Sequence, residues 1–545
     1  MKKINIDFST MNRVSEVVRP FVVAGNCLSL EFGTGVCDGG GKVPNALISK
    51  VSVTNGCEQA ELALFTEVPA DVPKGISAVN PAIRVIVRAD EFVSVVDALS
   101  AYEQQYEIEI NESNIMISVG SAQVPVSRVS EGEMKALVPH KMNSAAVEMF
   151  DKDILNLRIQ GKELMMAVKA AGAFTKRITD PGFGYFNVAV KDIAPVMVNV
   201  EVDGQSKTVC RYNCQVQFVS TDKVSFASGS CRALSIKGMP EEQVKQMQAQ
   251  RLEGMKKQAE AEGRVFDVTQ VPDIFKGVEN PVVSFTKEED NSINPVVQAY
   301  KNIKAEFDTR RELTLPEDEF QFGIPVASLE KLVKLASLVP DAYVELTVGE
   351  KYIYAFVQSV QAIFLCPQKA LHKTSFATMY RGAIAAVAQK ACAVSFDAKA
   401  ASNALRLCNL YEKDALIGQM PIELTVGEKD VEVKRGEAKS VVPTTAASTK
   451  IDTVVYGVNG AYLASTLGAL PAGNVQISYG LDKPMLVFNA GGEAISPYGT
   501  GMLVLGVADV EQSKKQIRDS YEKSLEEKRK KDEKKKDTVS TSVSE

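Results

Sequence analysis

The sequence predicts an α+β fold in which one small unit, a strand followed by a helix and an antiparallel strand meander, recurs six times. Two observations support this prediction. The heptapeptide ELTVGEK occurs twice without change, at Glu345–Lys351 and at Glu423–Lys429. Around these copies, apolar residues recur at helical spacing in some segments and with period two in others. Six such units pair naturally into three domains, each a pair of sheets with two helices on one face.

Each ELTVGEK copy predicts a β-hairpin. In the first copy Leu346 and Val348 alternate with polar residues, Gly349 supplies the turn, and YIYAF forms the return strand. Upstream, VASLEKLVKLASLVP has helical apolar spacing, and Pro340 ends that helix. Upstream of the second copy, DAKAASNALRLCNLYEKD predicts another helix. The two copies are therefore expected to be equivalent hairpins in the last unit of the middle domain and the first unit of the third.

Four further segments repeat the order of the unit with less literal identity. They are the opening INIDFSTMNRVSEVVRPF with the strands after it, residues 82–120, residues 155–174 with strands through CQVQF, and residues 454–492. We expect domain boundaries at 1–135, 136–378 and 379–508, because each interval then holds two units.

Two charged segments lie outside the repeat. Residues 238–318 interrupt the middle domain, and PEEQVKQMQAQRLEGMKKQAEAEG within them predicts a helix from Pro240 to Gly263. This insertion is expected to be solvated rather than to cover a domain face or bind a partner. Residues 509–545 form a tail that begins as a helix and ends in a Lys-rich, Ser/Thr-rich stretch expected to be disordered. Acidic residues nearly balance its lysines, which favours a solvated tail over a DNA arm.

Composition and termini restrict the class of protein. The 545 residues carry a formal net charge of -6, which argues against a protein that coats nucleic acid by bulk charge. The amino terminus has no apolar run behind its two lysines, and no stretch has the length of a membrane span, so a cytoplasmic protein is expected. The nine cysteines, with Cys210 and Cys214 on one face of a predicted strand, fit a reducing compartment.

The sequence contains no recognisable catalytic or metal-binding constellation. The two histidines, His140 and His372, lack Cys or acidic neighbours at ligand spacing. The glycine-rich GTGVCDGGGKV at 33–43 fails as a phosphate loop, because Val36 stands where Gly is needed and Val43 replaces Ser or Thr. We therefore expect a protein without enzymatic activity, cofactor or metal.

The repeated unit resembles a known family, the bacterial-type DNA sliding clamp, which is the beta subunit of the replicative DNA polymerase. The resemblance is carried by YGVNGAYLASTLGALPAGNVQISYGLDKPMLVFNAGGE at the end of the third domain, and by ADEFVSVVDAL and LRIQGKELMMAVKAA at two earlier helices. The predicted architecture resembles that of the family over most of residues 1–508, whereas the amino-acid sequence resembles it over short stretches. It implies a head-to-tail ring of two chains, with sheets outside and helices around a hole that holds duplex DNA. The implied function is non-catalytic: the ring tethers a polymerase and is placed on DNA by a clamp loader.

A helical lining of this kind needs cations aimed at phosphates. Lys162, Lys169 and Lys176 lie seven residues apart, and Lys399, Arg406 and Lys413 repeat the spacing, so each set follows one helix face. The helices at 90–105 and 461–469 carry no basic residue. The basic stripes are either phosphate contacts or the solvated faces of amphipathic helices. The full set of predicted DNA-binding residues is Arg13, Arg19, Lys162, Lys169, Lys176, Arg177, Lys331, Lys334, Lys399, Arg406 and Lys413.

The chain departs from the family at its partner-binding strand. Family members end in a Met-Pro-Met-Arg-like strand that helps to form a pocket for polymerase and loader peptides. Here the strand is GMLVLGV, in which Met502 corresponds but the proline and arginine are absent. Met502 is thus the predicted partner-binding residue of a divergent clamp of bacteriophage type. The alternative is a structural or scaffolding protein that keeps the fold without encircling DNA, as the two helices without cations permit.

Overall fold

The computed structural model describes most of the chain as two compact units. One unit comprises Met1–Met165, Ala189–Val216 and Cys231–Ala370, and the other Met166–Val188, Gln217–Ser230 and Leu371–Glu545. The three predicted domain boundaries stay a prediction. The residues that the structure describes are 3–22, 27–37, 42–54, 59–62, 76–130, 155–202, 205–235, 241–263, 266, 319–349, 352–357, 362–388, 391–411, 413–447, 453–471, 473–480, 485–490 and 496–541.

Helices and strands both contribute heavily to the described residues, which confirms the predicted α+β class. The α-helices are α1 Phe8–Val18, α2 Ala89–Ser100, α3 Gly161–Ala171, α4 Glu241–Ala261, α5 Val326–Ser337, α6 Phe376–Ala388, α7 Ala398–Cys408, α8 Gly460–Ala469 and α9 Val510–Thr541. The strands are β1 Lys3–Ile6, β2 Cys27–Cys37, β3 Lys42–Thr54, β4 Gln59–Leu62, β5 Ile76–Arg88, β6 Tyr106–Ile110, β7 Asn114–Val119, β8 Ala122–Ser127, β9 Leu155–Gln160, β10 Tyr185–Val202, β11 Gln205–Thr221, β12 Phe226–Ser235, β13 Phe320–Pro325, β14 Tyr343–Val348, β15 Tyr352–Val357, β16 Ala362–Pro367, β17 Ala391–Asp397, β18 Ile422–Val426, β19 Asp430–Arg435, β20 Ala438–Ala447, β21 Val454–Val458, β22 Asn474–Gly480, β23 Met485–Ala490 and β24 Gly501–Leu505.

The strands pair antiparallel within each unit. In the first unit β1-β6-β7-β8 form one sheet, and β5-β2-β3-β4-β16-β15-β14-β9 follow one another in a second. In the second unit the orders are β24-β23-β22-β17 and β20-β19-β18-β21. Antiparallel meanders of this kind need only short connections, as the repeated unit predicts.

The two ELTVGEK copies form equivalent hairpins, as predicted from their sequence. The first copy supplies the last four residues of β14 before the turn to β15, and the second supplies the last four residues of β18 before the turn to β19. Both turns close with the same bond: the Gly349 amide donates to the Tyr352 carbonyl at 3.0 Å, and the Gly427 amide donates to the Asp430 carbonyl at 3.0 Å. The identical letters therefore encode the same local geometry twice.

The environments of the two hairpins differ at the first glutamate of the repeat. Glu345 is buried, and in the register of the sheet it faces Arg158 of β9. Glu423 occupies the same place in the second copy, but there it faces Gly457 of β21, which has no side chain. The cation that pairs with Glu423 comes instead from α9.

The first turn of α9 is anchored on the second hairpin. The Lys514 ammonium lies 2.7 Å from Glu423 and 2.7 Å from Glu511, and the Lys514 side chain is only 13% exposed. Asp509 caps the helix by accepting the Gln512 amide at 2.9 Å. These contacts hold α9, which lies outside the six repeat units, against the second ELTVGEK hairpin.

Gly457 lies against both Pro421 and the start of α9. A Cβ added there would lie 3.2 and 3.3 Å from the Cβ and Cγ atoms of Pro421, and 3.4 Å from the Cγ2 atom of Val510, the buried first residue of α9. The Gly457 amide also donates to the Val507 carbonyl at 2.8 Å, and the Val507 amide donates back at 2.7 Å. The chain entering α9 therefore pairs directly with the backbone of β21.

The anchor predicts a stability window in pH. Burial opposes the charge of Lys514, but hydrogen bonds to Glu423 and Glu511 outweigh burial and raise the pKa of Lys514 above its usual 10.5. Its hydrogen bond lowers the pKa of Glu511 below the usual 4.5. The Lys514 contribution is therefore complete below pH 10.5 and lost above it, whereas the Glu511 contribution is complete above pH 4.5 and lost below it.

We expect Lys514→Met to lower the free energy of unfolding by about 2 kcal/mol at neutral pH, because it leaves Glu423 half-buried without this cation. Urea unfolding of wild type and variant across the pH range measures this difference. It should shrink above pH 10.5, and Lys515→Met, at an exposed neighbour, should change stability little at any pH. A Lys514→Met effect that is the same at every pH would contradict the ion-pair anchor.

The helices of the repeat pack in pairs within the units. α1 contacts α2, where the Ser15 hydroxyl donates to Asp97 at 3.2 Å, and α7 contacts α8. The start of α3 meets the segment that follows α5, since the Gly161 and Lys162 amides donate to the Ala342 and Pro340 carbonyls at 2.8 and 2.7 Å. All six helices predicted from the repeat are present, and two pairs of them, α1 with α2 and α7 with α8, pack together.

α6 was not predicted as a helix. Its segment GAIAAVA is apolar throughout, so these seven residues show no polar face that would indicate an amphipathic helix. Buried Asn187 supports its start, because its Oδ1 atom accepts from the Ser375 hydroxyl at 2.8 Å and the Ala377 amide at 2.9 Å. No helix in the described part of the chain is long and apolar enough to cross a membrane.

The two charged segments outside the repeat are also helical. α4 matches the helix predicted between Pro240 and Gly263. α9 continues to Thr541, so the helix covers most of the tail whose end was expected to be disordered. Most of its residues from 522 to 537 are charged, which suits a solvated helix as well as an unfolded chain.

Candidate nucleic-acid interface

α3 and α7 place their basic residues at identical positions. Both helices have 11 residues, and each carries a cation at its second and ninth position. Seven residues are close to two helical turns, so the two cations of each helix share a face. All four side chains are exposed. We call this set the matched cations: Lys162 and Lys169 on α3, Lys399 and Arg406 on α7.

The opposite faces of these helices fix the orientation of the matched cations. In α7 the buried residues are Ala401, Ala404, Leu405 and Cys408, which confirms the predicted apolar stripe. Asp397 caps the helix by accepting the Ala400 amide at 2.7 Å. Because the apolar stripe is buried, the cationic stripe on the opposite face points to solvent.

The predicted stripes were too long at their carboxyl ends. α3 ends at Ala171 rather than continuing to 177, because Gly172 weakens the helix and fully buried Phe174 draws the chain into the core. Lys176 and Arg177 therefore lie in a separate 3-10 helix, Thr175–Arg177. Lys413 likewise lies in a turn beyond the end of α7. Lys176 and Lys413 are exposed, but neither extends a helical face.

Arg177 supplies a cation beside α8, a helix without basic residues of its own. Its guanidinium carbon lies 4.7 Å from the centre of the Tyr462 ring, which also contacts Phe174 at 5.2 Å. The Tyr462 hydroxyl donates to Asp222. Burial, followed by this hydrogen bond, raises the pKa of Tyr462 to about 12. The ring therefore stays neutral and holds Arg177 in place.

Of the two predicted cations near α1, one is exposed and the other forms an ion pair. Arg13 is exposed on α1. Arg19, in the 3-10 helix Arg19–Phe21, donates twice to Asp97 of α2, at 2.8 and 2.6 Å. The charge of Asp97 offsets that of Arg19, which reduces what Arg19 offers to a phosphate. Nothing in the sequence pattern signals this pair, because the two residues are 78 positions apart.

The two cations of α5 lie one turn apart with different surroundings. Lys334 is exposed in the last turn. Lys331 is half-buried, and its ammonium lies 5.6 Å from the centre of the Phe21 ring. Lys334 is the ninth residue of α5, the position that the matched cations occupy in α3 and α7.

Met502 does not lie on a surface. It is fully buried in the core of the second unit, on β24, where it faces Ala227 of β12 on one side and Phe488 of β23 on the other. Its position supports packing rather than contact with a partner, and the predicted role in partner binding remains a prediction.

The described residues contain no candidate metal site. No group of three or more His, Cys, Asp or Glu side chains within them is arranged to hold a metal ion. The free cysteines whose side chains the structure describes are buried, and burial raises the pKa of Cys231 and Cys408. His372 lies between aromatic rings, 5.8 Å from Phe183. His140 and the loop of GTGVCDGGGKV at 38–41 lie outside the described residues.

Among the comparisons with known proteins, the comparison with solved structures gives matches and the two others give none. No family model and no curated protein matches the sequence. The structure matches the DNA polymerase sliding clamp of Pseudomonas aeruginosa with a TM-score of 0.54 at 11% identity, over 93% of this chain and 99% of that one. The chain has the fold of the bacterial sliding clamps.

Two other clamps give the same result. The sliding clamp of Bacillus subtilis matches with a TM-score of 0.53 at 12% identity, over 93% of this chain and 98% of that one. The DNA polymerase III beta subunit of Thermotoga maritima matches with a TM-score of 0.53 at 8% identity, over 93% and 99%. The resemblance inferred from the repeated unit is thus confirmed at the level of the fold, across a wide divergence in sequence.

Proposed function

We propose that this chain is a DNA sliding clamp, a non-enzymatic processivity factor that encircles duplex DNA and tethers a replicative polymerase. In this proposal the chain forms a homo-oligomeric ring of two copies, with the sheets outside and the repeat helices around the hole. Polymerase and clamp loader are its protein partners. The clamp fold supports the proposal. Because similar folds have different functions, the argument for this function must come from the residues of the candidate interface.

The observation that carries the proposal is the equal placement of the matched cations. A solvated helix face needs polar side chains but no particular charge at a particular position. Here two helices of the repeat, in a protein of net charge -6, carry exposed cations at the same two positions and no acid on that stripe. Phosphate contacts that are independent of base sequence require this kind of surface.

One observation favours the alternative of a scaffolding protein that does not encircle DNA. Asp97 of α2 neutralises Arg19, and α2 carries Asp90 and Glu91 in its first turn without any basic residue. A helix of this charge repels phosphate. If such helices dominate the inner face, the fold persists but the duplex is not held.

Asp97→Asn tests how α1 and α2 act. Removal of this carboxylate frees the Arg19 charge, so we expect the affinity for duplex DNA to rise by about 2- to 5-fold at low salt, and the salt slope to steepen by about one. Fluorescence anisotropy with a labelled duplex over a salt series measures both values.

Glu437→Gln is the matched control, because it removes one exposed carboxylate from the turn after β19. It should leave duplex affinity within about 2-fold of wild type. Equal gains from Asp97→Asn and Glu437→Gln would show that only net charge matters and would count against a role of α1 in binding.

A further inference from the structure

Charge is unevenly distributed along α9. Residues 510–527 carry four Lys or Arg and five Asp or Glu, whereas residues 528–541 carry seven Lys or Arg and three Asp or Glu. The near-neutral half lies next to the anchor formed by Lys514, and the cationic half is distal. A count over the whole tail conceals this segregation.

Beyond its anchored base, α9 is largely exposed over the residues whose side chains the structure describes. Lys514 and Val510 are buried against the second hairpin, but from Lys515 to Lys531 all side chains are exposed except half-buried Ile517 and Tyr521. At 1.5 Å per residue, the helix from Lys515 to Thr541 extends for about 40 Å. Lys528, Arg529, Lys530 and Lys531, at the start of the distal half, therefore present exposed basic side chains beyond the anchor.

The chemistry of the distal half selects its ligand. Residues 526–537, EEKRKKDEKKKD, contain no apolar side chain. An amphipathic helix that lies on a membrane needs an apolar face to insert, and this helix offers none. Lysine side chains alone can neutralise a polyanion of closely spaced phosphates. Nucleic acid therefore fits this surface better than a lipid headgroup layer.

We infer that the distal half of α9 is a basic arm that binds the phosphate backbone of duplex DNA from outside any ring. The arm increases the local concentration of the protein on DNA without reading its sequence. This inference does not rest on the proposed function, because the arm needs neither oligomerisation nor a hole to contact a duplex.

The test compares two triple variants of the full chain that each remove three exposed cations from α9. The distal variant is Lys528→Gln, Lys530→Gln and Lys531→Gln. The proximal variant is Lys515→Gln, Arg518→Gln and Lys523→Gln. The probe is a covalently closed circular duplex, which a closed ring cannot encircle unless it opens. Binding is measured by filter retention over a salt series, and circular dichroism checks that helix content is preserved.

We expect the distal variant to bind about 10-fold more weakly at low salt, and its salt slope to flatten by about 2 to 3, since each phosphate contact contributes about 0.9. The proximal variant should stay within about 2-fold of wild type. Equal losses in the two variants, or no loss in the distal one, would overturn the arm. Vesicles containing phosphatidylserine are the second probe. Binding to them that is lost in the distal variant, with duplex binding unchanged, would overturn it in favour of a membrane.

Discussion

Glutamine at all four matched cations is expected to lower the affinity for linear duplex DNA by roughly 100-fold at low salt. Each cation that contacts a phosphate releases counterions, so four lost contacts should flatten the salt slope by about 3 to 4 per chain. The substitutions lie on exposed helix positions and glutamine is a good helix former, so folding should be unaffected. Fluorescence anisotropy across a salt series, with variants checked by circular dichroism, gives both numbers.

The control removes four exposed lysines outside the six repeat helices: Lys256→Gln, Lys369→Gln, Lys373→Gln and Lys429→Gln. It changes net charge by the same amount, and we expect less than about a 3-fold loss. If the control weakens binding as strongly as the matched-cation variant, binding depends on overall charge. The interface assigned to α3 and α7 would then be wrong.

Gly229→Ala is expected to destabilise the protein by at least about 3 kcal/mol. A Cβ added at Gly229 of β12 would lie 1.8 Å from the Ala167 carbonyl oxygen of α3, and it would meet the carbonyl carbon and the Cα atom as well. Backbone atoms cannot rotate away as a side chain can, so the helix must shift on the strand. The melting temperature should fall by roughly 6 to 12 °C, measured by circular dichroism.

Gly468→Ala is the matched control for this substitution. Gly468 lies inside α8 and a Cβ there meets nothing within 4 Å. Alanine favours the helix over glycine by about 1 kcal/mol, so this variant should be as stable as wild type or slightly more stable. A small effect of Gly229→Ala would show that α3 does not pack its backbone directly on β12.

The repeat allowed much of the fold to be predicted. Literal identity of ELTVGEK marked two hairpins, and apolar periodicity located the six helices of the repeat. The alternation of apolar residues in strands and their spacing in helices are local patterns. Each depends on residues only a few positions apart in the sequence. The matched cations follow from the same logic, because their spacing is a property of single helices.

The remaining features depend on contacts between residues that are distant in sequence. Asp97 neutralises Arg19 across 78 positions, and Lys514 of α9 pairs with Glu423 of the second hairpin. The stripe of lysines predicted for α3 continues past the point where buried Phe174 turns the chain, and Lys413 keeps the same spacing beyond the end of α7 at Cys408. α6 was not predicted because its start is stabilised by Asn187, which lies 190 positions before Ala377 in the sequence.

The central claim is that copies of this chain close into a ring around duplex DNA. Solution mass together with negative-stain images of the purified full chain tests it most directly. We predict a closed ring of two copies with a hole wide enough for a duplex. Compact monomers without a hole at every concentration examined would contradict the ring and favour the scaffolding protein.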